Sequence, residues 1–105
     1  MELTTKFGNK PKDQELIYTD RGMMFVSYGS NIALILNKDY KEQMLKGLII
    51  SKKELLKYRS NIILDECYWD YSATTGYYRN QFLGEGIAET KKNIKSGVYT
   101  LANLN

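Results

Sequence analysis

The sequence predicts an α+β fold: a small single domain with an antiparallel sheet of about four to five strands and two to four short helices packed on it. Three observations lead there. Residues 15–36 break into three short runs rich in Ile, Val, Phe, Met and Tyr, separated by glycine turns. Residues from about 73 to 83 and from 87 to 95 space their apolar side chains three or four apart, the period of a helix. The signals run strands, helix, strand, helices, strand, which is the segregated order of an α+β chain rather than strict βαβ alternation.

The first strands are bounded by their turns. Glu15 to Thr19 leads into Asp20-Arg21-Gly22, Met23 to Tyr28 follows, and Gly29-Ser30-Asn31 turns the chain into Ile32 to Leu36. Glycine supplies the positive φ that tight turns need, and an antiparallel meander is the simplest arrangement of the three runs. Ahead of them, residues 1–13 are polar apart from a few side chains and contain the single proline, Pro11, so they are expected to be loosely held.

Between Lys38 and Arg59 the pattern turns helical. Tyr40, Met44, Leu45 and Leu48 fall at helical spacing, and Ser51-Lys52-Lys53-Glu54 has the form of a capping box before Leu55, Leu56 and Tyr58. Gly47 and the β-branched pair Ile49-Ile50 interrupt it, so either two short helices or one broken helix is expected. Residues 60–69, SNIILDECYW, read as a further strand in which Cys67, Tyr68 and Trp69 extend the apolar run. Next comes DYSATTGYYRNQF, with Asp70 or Ser72 as N-cap, a helix from about Ala73 to Leu83, and Gly84 as a left-handed stop. Tyr78 and Phe82 then share a face with Thr75 and pack on the sheet. A second helix carries Ile87, Thr90, Lys91 and Ile94, ends at Ser96-Gly97, and sets Lys91, Lys92 and Lys95 near its negative end. Val98 to Leu101 closes the chain as a last strand.

A chain of 105 residues is long enough for one core without staples. No apolar run approaches the roughly 20 residues that cross a bilayer, so no membrane association is expected. The polar N-terminus lacks the apolar stretch of a signal peptide, and one cysteine, Cys67, makes no internal disulfide; both fit a reducing cytoplasm. Charge is bipolar. Residues 38–59 carry seven positive against three negative side chains, and residues 60–90 carry one against five. Such a surface suits a protein partner at least as well as a phosphate backbone.

Catalysis is the poorest fit. The chain has no histidine, the commonest acid/base and metal ligand near neutral pH, and Cys67 has no imidazole to activate it and is read as a buried thiol. There is no zinc or calcium motif and no P-loop, and Asp65-Glu66 is expected to point to opposite faces of a strand. No catalytic residue, cofactor or metal site is therefore assigned. The candidate site is a binding surface. Tyr68, Trp69, Tyr71, Tyr77 and Arg79 supply the residue types that dominate protein hot spots, and Lys52, Lys53, Lys57 and Arg59 supply a basic companion. The same rings could stack unpaired bases, with Ser72, Thr74 and Thr75 at a helix N-terminus as anion donors, but Asp65, Glu66 and Asp70 beside them repel phosphate.

The segments VSYGSNIALI, YWDYSATTGYYRNQFLGE and TKKNIKSGVYTLANLN resemble a set of small proteins of phages and other mobile elements of Firmicutes-type bacteria. The likeness covers residues 26–36 and 68–105, and Trp-Asp-Tyr-Ser-x-Thr-Thr is its most specific part. The Lys38 to Arg59 stretch departs from it, being longer and more basic than the short hairpin expected there. The resemblance carries over no catalytic residue. It implies a phage accessory protein, and with it a non-enzymatic inhibitor of a host defence protein such as a CRISPR-Cas nuclease. The alternatives are a nucleic-acid-binding accessory protein, with Lys46 joining the basic set, and a virion structural or assembly component.

Overall fold

A computed structural model describes residues 2–37 and 61–105. The helical reading of residues 38–59, with Lys46, Lys52, Lys53, Lys57 and Arg59, lies outside the described residues. The rest is one five-stranded sheet in the order β1-β2-β3-β4-β5 with two helices, an α+β arrangement. The strands are β1 (Gln14–Tyr18), β2 (Gly22–Ser27), β3 (Ser30–Leu36), β4 (Ile62–Asp65) and β5 (Thr100–Ala102). The helices are α1 (Ala73–Leu83) and α2 (Ile87–Lys95).

The first three strands form the expected meander, and their turns show why. Gly22 has φ +151°, and a Cβ there would run into the Ile35 carbonyl, so only glycine fits. Thr19 holds that turn through its hydroxyl, donating to the Gly22 carbonyl at 2.9 Å. The β2–β3 turn falls one residue earlier than the glycine pattern predicts. Ser27 pairs with Ser30, and Tyr28 and Gly29 between them have φ of 51° and 80°, the two positive values of a type I′ hairpin. A tyrosine in the left-handed region is unusual, and nothing local in the sequence announces it.

Two further differences follow from long-range geometry. The sheet is mixed, because β5 pairs parallel to β4. The two helices lie between those strands and return the chain to the same end of the sheet, as a crossover must. Strand β4 also stops at Asp65 instead of running to residue 69, since the Asp65 carboxylate accepts from the backbone N–H groups of Cys67 at 3.0 Å and Tyr68 at 2.9 Å. Those bonds curl the chain out of the ladder. Asp65 therefore ends the strand buried, while Glu66 sits exposed in the turn.

The core lies between the sheet and the helices. Phe25, Ile32, Ala33 and Leu64 from the sheet meet Tyr78 and Phe82 of α1 together with Tyr99, and the Phe25 and Phe82 rings lie 5.8 Å apart. Ile32 enters through a bulge that shifts the β2–β3 register beside Phe25 and Val26. The opposite face of the sheet buries Met24, Val26, Leu34, Leu36 and Ile63. Contrary to the expectation of a loose N-terminus, Leu3 belongs to the first cluster and Pro11 is buried. Thr4 and Gln81 exchange hydrogen bonds of 3.0 and 2.7 Å, which fasten that segment to α1.

Candidate protein-binding surface

The ring-rich stretch has a buried half and an exposed half. The buried half is centred on Arg79, 1% exposed. Its guanidinium donates to the Trp69 carbonyl at 2.8 Å, to Asp70 at 2.9 Å and to the Asn80 side chain at 3.1 Å, and it stacks 5.4 Å from the Trp69 ring. A buried cation is tolerable only when paired in this way. Arg79 is thus not a surface group for a partner, and Trp69 is half-buried beneath it. The two clamp the turn after β4 onto α1.

The helix start is consumed in the same manner. Ser72 is the N-cap, accepting from the Thr75 N–H at 3.1 Å, and Thr75 is buried with its hydroxyl 2.8 Å from that of Ser27 on β2. Of the three residues considered as anion donors, Thr75 is buried, half-buried Ser72 has its hydroxyl engaged with Thr75, and Thr74 is exposed. The segment from Trp69 to Thr75 is therefore largely a clasp that sets where α1 begins. Gly84 stops α1 in the left-handed conformation, φ 69°.

The exposed half consists of Tyr68, Tyr71 and Tyr77. Tyr68 and Tyr71 meet edge to face with centroids 5.7 Å apart, and Tyr71 is 52% exposed. Tyr77 stands edge to face with buried Tyr78 at 5.0 Å. Beside it an open hollow is lined by Thr5, Lys6, Phe7, Thr74 and Tyr77. Phe7, 81% exposed, is a member the sequence analysis missed; its signal is an isolated aromatic in an otherwise polar stretch. Cys67, expected to be buried, is exposed on the same turn. Its backbone N–H is held by Asp65, so its side chain points away from the core that a strand would have given it.

Two polar anchors hold the ends of this region. Asp65 accepts from the backbone N–H of Leu104 and the side chain of Asn105 as well as from the turn. Burial by itself raises its pKa, but the bonds from Leu104, Tyr68, Cys67 and Asn105 outweigh burial and hold it below the ordinary 3.8. On the other side, buried Tyr99 donates its hydroxyl to Glu85, which also accepts from Thr90 at 3.1 Å and Asn93 at 3.3 Å. Burial, and then the hydrogen bond and charge of Glu85, push the Tyr99 phenol up to about 12.

Among the described residues no group of three or more His, Cys, Asp or Glu is placed to hold a metal, and no helix is long and apolar enough to cross a membrane. No family model, no curated protein and no solved structure matches the chain.

Proposed function

We propose that the protein is a non-enzymatic, phage-type inhibitor that binds a host bacterial defence protein and blocks it stoichiometrically. A CRISPR-Cas nuclease is the partner class to which the sequence resemblance points. The observation that carries the binding reading is the set of exposed rings: Tyr68, Tyr71 and Tyr77 on backbone that Arg79, Trp69 and Asp65 hold, with Phe7 on the N-terminal segment that Thr4 and Gln81 fasten to α1. Rigid tyrosines give large contact area at small entropic cost, which is what a binding hot spot needs. A sequence without histidine supports action by contact rather than by turnover.

Nucleic acid is the weaker reading, because Glu66 and Asp70 are exposed beside these rings. Titration of purified protein against nuclease activity tests the proposal. Complete inhibition near one inhibitor per nuclease is expected, with Tyr68→Ala/Tyr71→Ala weakening it about tenfold or more. Inhibition that persists far below equimolar ratio indicates an enzyme. Steeply salt-dependent binding to free duplex or single strands supports the nucleic-acid reading.

A further inference from the structure

Strand β4 ends before β3 has run out of backbone groups to pair. Carried two residues past Ala33 and Leu64, the antiparallel register would set Asn31 opposite Glu66, but the turn after Asp65 has already taken the chain out of the ladder. The tail that follows β5, residues 103–105, takes up the bonds left open there. The Asn105 side-chain amide accepts from the Asn31 N–H at 2.8 Å and donates to the Asn31 carbonyl at 3.0 Å, as an opposing peptide group would. The Asn31 side chain in turn donates to the Leu104 carbonyl at 2.7 Å.

The same tail reaches the carboxylate that makes the turn. Asp65 is 1% exposed, and its two oxygens serve different segments. Oδ2 accepts from the N–H groups of Cys67 and Tyr68, while Oδ1 accepts from the Leu104 N–H at 2.9 Å and the Asn105 side chain at 3.0 Å. A buried carboxylate stays charged only while its oxygens are bonded. If the tail leaves, Oδ1 loses both of these donors. Rotation of the carboxylate toward water is the cheapest way to replace them, and it takes Oδ2 away from the turn that carries Tyr68. Tyr68 is itself the edge-to-face neighbour of Tyr71, so the two rings loosen together.

We propose that residues 103–105 are a latch on the Tyr68–Tyr71 surface, with Asp65 as the pivot they share: the docked tail holds the turn in place, and its displacement releases the turn. Linkage makes the coupling mutual. An occupant that fixes Tyr68 and Tyr71 tightens the tail, and anything that draws the tail off Asn31 weakens that occupant's hold. Asn105 is thus a positioning residue that acts on the rings through Asp65. Calling the rings a binding surface rests on the function proposed above, whereas the coupling is a property of the chain alone.

Amide hydrogen exchange of the full chain, followed residue by residue by NMR, tests this with no partner present, so its outcome is separate from that of the nuclease titration. Asn105→Asp sets a second negative charge against Asp65 and should speed exchange at Leu104, Cys67 and Tyr68 together, by about tenfold or more. Asn105→Ala removes the amide without adding charge and should speed the same three to a smaller extent. The N–H groups of Thr75 and Gly76 are held by Ser72, not by Asp65 or the tail, and should keep their wild-type rates in both variants. Faster exchange at Leu104 with Cys67 and Tyr68 unchanged overturns the proposal, because the tail would then leave without the turn. Unchanged rates at all three overturn it as well, and so does an equal rise at Thr75 and Gly76, which is a general loss of stability rather than a latch.

Discussion

Arg79 and Gln14 are both buried polar side chains on the helix-facing side of the sheet, and the fold treats them in opposite ways. Arg79 finds a carbonyl, a carboxylate, an amide and an indole ring, and leaves only Nε without a partner. Gln14, directly across from Ser27 in the β1–β2 register, finds nothing, although Ser27 itself is bonded to Thr75. Burying a polar group costs little when its bonds are replaced and one to three kcal/mol or so when they are not. The first side chain therefore works as a fastener and the second as a local liability.

The largest expected effect is on the fastener. Arg79→Ala deletes a fully buried side chain and frees the Trp69 carbonyl, and it should destabilise the protein by about 3 kcal/mol. Denaturant unfolding reads this directly, and tryptophan emission should shift as Trp69 loses its cover. A loss under about 1 kcal/mol would mean that the clasp is ornamental. Thr75→Val comes next. It keeps the shape and removes the bonds to Ser27 and Ser72, so about 1–2 kcal/mol should go with the start of α1.

Tyr99 allows a test through pH instead of size. Its folded pKa of about 12 lies above the ordinary 10.0, so its contribution is complete below pH 10 and is lost as pH climbs through the folded value. Comparing the wild type with Tyr99→Phe over pH 8 to 12 should show the variant less stable at the neutral end and the gap closing across that window. A gap constant in pH would detach Tyr99 from Glu85. Asp65 has the opposite sign: its depressed pKa stabilises the fold above pH 3.8, and that stability is lost on acidification.

Helix α1 was legible residue for residue, because everything that defines it is local: Ser72 at one end, Gly84 at the other, and Thr75, Tyr78 and Phe82 at helical spacing between. The meander was legible for the same reason. Arg79 was not. An arginine in a ring-rich stretch reads as a surface group, and only the turn that Asp65 imposes brings Trp69 and Asp70, ten and nine residues earlier, to the guanidinium. That turn also misled the strand reading of 60–69 and the burial of Cys67, since one carboxylate binding two backbone N–H groups leaves no trace in hydrophobic periodicity. Of the nine residues selected as binding groups, Tyr68, Tyr71 and Tyr77 are exposed, Trp69 and Arg79 belong to the clasp, and Lys52, Lys53, Lys57 and Arg59 lie outside the described residues. Gln14 was invisible as well: it lies just ahead of the strand expected from Glu15, and the strand in fact begins with it, paired with Ser27 and buried.

The smallest effect has the opposite sign and separates the two buried groups most sharply. Gln14→Met preserves length and flexibility while replacing an amide that has no partner with a thioether that needs none. The variant should be about 1 kcal/mol more stable than the wild type, seen as a melting temperature a few degrees higher. The corresponding Arg79→Met leaves the Trp69 carbonyl and Asp70 without their donor and should be destabilising. One polar-to-apolar exchange, made at two sites of equal burial, is thus expected to move stability in both directions, because the sign depends on the bonds each polar group has made.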